Sequence, residues 1–256
     1  MNFQNLRTYD HYGYALVAIV GTYLAVATIT WLIQKSAWKL SIRSLHGVAP
    51  PFINIIGVLF GLTLAFIAND TWSAHERATN AVFREADSLR SLMVLSSRLD
   101  EPRRDQLRQA LNAVAQSSAE EWPLLAQRQS SQKASDAVDA LLLLIASQDV
   151  AKAAGVNAQS LMLKKASDLR DDRNLRIGLS QLHVNPLKWL GMAFLGLCTL
   201  LSIAVVHLDK PRAAQVAIVL FALSAAPTAA IVLIQGNPFQ QPSSVTPQPI
   251  IAAMTR

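Results

Sequence analysis

The chain has 256 residues, 52% of them hydrophobic and 16% charged, with a formal net charge of +6. So apolar a composition argues against a soluble enzyme and for a membrane protein. The positive excess does not mark a nucleic-acid binder: between Asp70 and Pro186 fifteen Lys/Arg meet fifteen Asp/Glu, and the surplus sits in linkers and tails beside apolar blocks.

The first apolar block runs from about Tyr14 to Ile33 without a charge. About 20 residues at 1.5 Å rise cross a ~30 Å hydrocarbon core. Arg7 is the basic residue ahead of it, Asp10 follows, and no small-x-small site closes the run. It is therefore expected to stay as an anchor rather than leave as a signal peptide. Tyr12, Tyr14 and Trp31 flank its ends, where amphipathic rings prefer the interface. A basic linker with Lys35, Lys39 and Arg43 leads to the second block, Phe52 to Ala68, opened by Pro50 and Pro51, which suit a helix start.

Gly57, Gly61, Ala65 and Ala68 recur there at steps of three and four, so small residues share one face and another helix can approach closely. Ordinary helix packing is the plain use of such a stripe; a pore or gate is the sharper one. Asn54 and Thr63 are the polar candidates inside this span, and Asn69 and Asp70 stand at its mouth. Those two either mark the water boundary or, repeated in an oligomer, ring a pore.

From Asp70 to Pro186 the period is helical, with no strand-like alternation. Ala78, Val82, Ala86, Leu89, Met93, Ser96 and Leu99 form a stripe on a charged helix continuing the second span. Asp100-Glu101-Pro102 reads as a turn. A second helix turns Leu107, Leu111 and Val114 inward and ends near Trp122-Pro123. A third carries Val138, Leu141, Leu142 and Ile145 and is broken by Gly155. Asn157 caps a fourth through Leu161, Leu169 and Leu179. Asp100 with Arg104, and Asp172 with Arg176, are spaced as exposed ion pairs, and Asp171-Asp172-Arg173 reads as solvated surface.

A third span, about Leu187 to Val206, and a fourth, Ala213 to Ile234, follow across the polar turn Asp209-Lys210-Pro211-Arg212. Pro227 lies inside the fourth, where membrane helices tolerate it as a bend. The one cysteine, Cys198, has no disulfide or metal partner by spacing and reads as a packing residue. The expected fold is all-α: an integral membrane protein with four transmembrane helices in two hairpins and a helical bundle inserted between the second and third. Its divisions are 1–69, 70–186, 187–236 and a polar tail, 237–256.

No phosphate-binding loop, nucleophile elbow or zinc helix motif occurs, so neither catalytic residue, cofactor nor metal is expected. The five histidines are scattered; His75-Glu76 is a lone neighbour pair. Glu120 and Glu121 are adjacent and point about 100° apart on a helix, so they do not converge as an acid–base pair.

The runs GVLFGLTLAFIANDTW and ERATNAVFREADSLRSL, then RDQLRQALNAVAQSSAEEWPLL, DDRNLRIGLSQL and GNPFQQPSSVTPQPI, resemble in order the motifs of the bacterial bestrophin-like domain family, from about Ile53 to Ala253. The resemblance implies relation to bestrophin anion channels, which are homopentamers with four spans per subunit and a pore lined by the second. It therefore implies a bacterial inner-membrane protein that homo-oligomerises and passes inorganic ions, with Phe60, Thr63 and Phe66 as residues to watch. Two functions stand side by side: an oligomeric ion channel, and a non-conducting interaction or sensor protein acting through its bundle. Topology carries a conflict. The two short linkers hold five Lys/Arg and only Asp209, which by the positive-inside rule puts them in the cytoplasm and the bundle outside. The bestrophin resemblance implies the reverse.

Overall fold

The computed structural model describes residues 10–35, 50–183, 185–242 and 244–254. Arg7, Lys39, Arg43 and His46 lie outside the described residues. Secondary structure among those described is helical throughout: α1 Asp10–Lys35, α2 Pro50–Ser96, α3 Glu101–Glu120, α4 Trp122–Ala126, α5 Gln132–Ile145, α6 Gln148–Ala154, α7 Val156–Ser180, α8 Pro186–Val206, α9 Pro211–Ile234 and α10 Gln248–Met254. Four helices are long and apolar enough to cross a membrane, and the bundle helices come between the second and third of them. The chain is an all-α, multi-pass membrane protein.

It divides into two compact units. One lies within Met1–Trp72 and His183–Gly236, the other within Ser73–Leu182 and Asn237–Arg256. α2 contributes to both: its 47 residues make a helix of about 70 Å, more than twice a ~30 Å hydrocarbon core. Its apolar stretch ends at Ala68 and charge begins at Asp70, so the part beyond Trp72 is outside the membrane-spanning segment.

In the first unit, α1 lies along α9, and α8 touches both. One apolar cluster joins Ala15, Ile67, Ala68, Met192, Ala229 and Leu233. A second joins Ile29, Ile33, Leu200, Ala204 and Ile218. α8 starts with Pro186 after Asn185, whose side chain accepts from the Leu187 N–H at 2.9 Å. Hydroxyls within the spans bond back along their own helices: Thr22 to the Ala18 carbonyl at 2.6 Å, Thr28 to Leu24 at 2.8 Å, Thr199 to Leu195 at 2.8 Å. That satisfies them without water, as lipid demands. Pro227 does not end α9, which continues to Ile234. Cys198 is free and half-buried.

The second unit packs around the stripe expected on α2: Ala78, Val82, Ala86 and Leu89 are buried, joined by Leu92. Leu107, Leu111 and Val114 of α3, Val138, Leu141 and Ile145 of α5, and Met162 and Leu169 of α7 complete the core. Two details differ from the sequence reading. The third helix ends at Ile145, and a separate short helix, α6, starts from a Ser147 cap that accepts the Val150 N–H at 3.4 Å. Gly155 then ends α6 at φ 80°, a conformation glycine takes without a Cβ penalty, and α7 begins at Val156. Asn157 is thus inside α7 rather than its cap. The same shift in phase leaves Leu161 exposed and puts Met162 in the core.

The described residues of 237–254, set apart by composition as a polar tail, pack with this unit. Phe239 and Ile250 are buried in its core, and α10 lies on α3.

Candidate functional site

The second span's candidate residues divide by direction. Phe66 is 66% exposed, on a face shared with Ile55, Val58 and Leu62. Asn69 and Asp70 close that face at its polar end, and Asn54 is exposed as well. Phe60 points elsewhere, because six residues at about 100° each put it roughly 120° from Phe66. Its ring packs against the Phe221 ring at 5.5 Å between centroids and lies 3.2 Å from where a Cβ on Gly196 would stand. Phe60 is therefore an internal packing residue, held close to α8 because position 196 has no side chain. Thr63 donates to the Leu59 carbonyl at 2.8 Å, which leaves its oxygen able only to accept.

Of the small-residue stripe, Ala68 alone is buried; a Cβ added at Gly57 or Gly61 would meet nothing within 4 Å. Among the described residues, Ala68 packs with α1, α8 and α9, while Gly57 and Gly61 stand clear of the neighbouring helices. Asp70 accepts from Lys188 Nζ at 2.5 Å, across from the start of α8. Nearby, Tyr14 and Trp189 bring their rings to 5.2 Å. The starts of α1 and α8 thus meet at the polar end of the α2 span.

The second unit holds a charged centre that sequence reasoning missed. Arg173 Nη2 donates to Glu121 Oε1 at 2.7 Å and to the Ser131 carbonyl at 3.1 Å. Arg176 Nη2 donates to Glu85 Oε1 at 3.2 Å and lies 3.3 Å from Glu121 Oε2. Arg176 Nε stands 3.1 Å from Glu85 Oε2, and Ser118 donates to Glu85 Oε1 at 3.1 Å. All four charged residues are buried. The Arg176 guanidinium also sits 4.4 Å from the centre of the Trp122 ring, a cation–π contact in a desolvated place. Burial pushes the Glu85 carboxyl above its usual range, against the opposing pull of Arg176.

This arrangement corrects the surface reading. Arg173 and Arg176 are core residues, and Asp172 instead takes Arg84, at 2.8 Å. Burial raises the Asp172 carboxyl too, with Arg84 opposing. Asp100 pairs with Arg103 at 2.6 Å, and Arg104 with Glu101 at 3.3 Å. Glu120 and Glu121 do diverge: Glu120 is exposed and bonds Lys133 at 2.7 Å, which with Gln116 lowers its pKa, while Glu121 is buried. The missed signal was positional. Leu169, Arg173, Arg176 and Ser180 follow helical steps of four and three, and all four are buried. Glu85 sits in the same way beside Val82 and Ala86. Among the described residues no three His, Cys, Asp or Glu side chains gather as metal ligands.

The C-terminal segment closes over this centre. Trp122 Nε1 donates to the Val245 carbonyl at 2.7 Å, and the Trp122 ring meets Phe239 edge-on at 5.7 Å. Asn237 Nδ2 donates to the Leu125 carbonyl at 3.2 Å, and Gln240 to that of Ala126. One indole ring thus links the Arg176 cation, the short α4 and the chain's last segment.

A bestrophin-like domain model matches residues 20–250. No curated protein matches the chain. Among solved structures, two variants of a bacterial bestrophin homologue from Klebsiella pneumoniae superpose with a TM-score of 0.66. One is 13% identical and covers 95% of this chain and 98% of its own; the other is 14% identical and covers 94% of each. A third variant of that homologue, 14% identical, gives 0.62 over 95% and 98%. At such identities the likeness is one of fold.

Proposed function

We propose, from the premise that this chain belongs to the bestrophin-like family, that it homo-oligomerises in a bacterial inner membrane and passes inorganic ions along a pore lined by the outward face of α2. The observation that carries this reading is the state of that face. The apolar part of α2 is the least buried of the four spans, and Phe66, Leu62 and Ile55 turn away from the chain's own helices. A ring of Phe66 side chains contributed by several copies makes a narrow apolar level, which gates by excluding water. Gly57 and Gly61, open to their surroundings, let a neighbouring copy's backbone approach. Asn69 supplies the polar mouth, and Lys188 compensates Asp70, so the mouth carries little unpaired fixed charge.

Ion flux from liposomes containing the purified protein tests this. The wild type is expected to conduct, and Phe66→Ala to change the flux by tenfold or so, about the effect of 1.4 kcal/mol on a barrier. Phe60→Ala should act on stability instead, because its ring packs internally. Wild-type vesicles tight to every ion tried would defeat the reading.

A further inference from the structure

Two helices of the membrane-spanning unit bring opposite charges to the polar end of the α2 span. No charged residue stands on α2 from Pro50 to Asn69, so Asp70 is the first. α8 carries one charged residue in its whole length, Lys188. Lys188 Nζ reaches Asp70 Oδ2 at 2.5 Å, and the two side chains are 52% and 56% exposed. Asp70 lies one turn beyond Phe66: four residues advance about 6 Å along the helix and end about 40° round from the starting direction. The carboxylate therefore stands on the same outward side of α2 as Phe66, and it is open to water.

A pair this exposed contributes little to stability, because water and salt screen it. α8 is held to α2 in other ways, by Phe60 against Gly196 and by the apolar cluster that contains Ala68 and Met192. What the pair does change is the local field. In water, a bare carboxylate about 7 Å from an ion's path raises the cation concentration there roughly two- to threefold and lowers that of anions by the same factor. Repeated in every copy, a ring of unpaired Asp70 would select cations. The Lys188 ammonium cancels each of these charges where it stands.

We infer, on the premise that the outward face of α2 conducts, that Lys188 sets the charge selectivity of this path: by cancelling Asp70 it leaves the mouth open to monovalent inorganic ions of either sign. The test is the potassium-to-chloride permeability ratio of the purified full-length protein in liposomes under a KCl gradient. The wild type should discriminate little between the two ions. Lys188→Gln should raise the ratio roughly fivefold, because cation and anion respond oppositely to the freed carboxylate. Asp70→Asn should lower it by a like factor. The double variant should return to the wild-type ratio, which the loss of a purely structural tie would not produce. Conduction with one ratio in all four proteins, or a shift of both single variants in the same direction, would overturn the inference and leave the channel standing. A wild type that strongly selects one sign would overturn it too. Wild-type vesicles tight to both ions would remove the conducting premise and this assignment with it.

Discussion

Arg176 has no route to water: it is fully buried against Glu85, Glu121 and the face of Trp122. Removing one member of such a group strands the others. Arg176→Ala should therefore destabilise the bundle by about 3–5 kcal/mol, measured as denaturant unfolding of the detergent-solubilised protein. A control at the surface, such as Arg103→Ala, whose partner Asp100 is half in water, should leave the unfolding midpoint nearly unchanged. Glu85 adds a pH dependence of definite sign. Its carboxyl is raised in the folded chain above the ordinary 4.5, by burial first, so the folded state holds the proton more tightly than the unfolded one. The stability this confers is complete below that ordinary value and is lost as pH rises through the raised one. Glu85→Gln should flatten that decline in a series of melting curves; parallel curves for the two proteins would remove Glu85 as its source. At this scale the sequence was readable only in part. Charged letters usually mean a solvated face, and Arg173 and Arg176 looked ordinary beside Asp171 and Asp172. Their place on the core stripe was visible, but which carboxylates would answer them was not, because Glu85 and Glu121 lie far off in the chain.

Among the elements, the C-terminal segment shows how a polar composition can hide a packed one. Of its two anchors, Phe239 is a single apolar residue between Pro238 and Gln240, and Ile250 opens a run of only five apolar residues, too short for a period to mark it. Full burial of two such side chains is worth about 3–6 kcal/mol by transfer, as an upper estimate. The bond from Trp122 to the Val245 carbonyl adds to this. Deleting residues 237–256 should therefore uncover Trp122, shift its fluorescence to longer wavelength and speed proteolysis between α3 and α5. An unaltered protease pattern would mean the segment is dispensable to the bundle. The helices themselves were legible because each carries a sustained apolar stripe. The boundary at Gly155 slipped by a residue or two because glycine served as the start of α7 where an asparagine cap was expected.

For the whole molecule, a terminal fusion and a cross-linking experiment test side and stoichiometry. The short loops favour a cytoplasmic position for themselves by charge, since they hold five Lys/Arg against Asp209 alone. On that basis an alkaline phosphatase fusion after Arg256 should be active, whereas fluorescence of a cytosolic reporter there would reverse the topology. Cross-linking in the membrane separates the channel from a non-conducting sensor: a closed ladder of identical subunits supports a pore, and a monomer or an unlike partner supports the sensor. Sequence alone determined that the chain spans a membrane and that its middle is helical. Both follow from local quantities, the cost of leaving apolar residues in water and the 3.6-residue period, which neighbours along the chain already contain. Only the tertiary structure decided that Phe60 packs inward while Phe66 faces out, and that two arginines and two glutamates meet in the bundle core. Those facts depend on residues far apart in sequence becoming adjacent, which no single segment encodes.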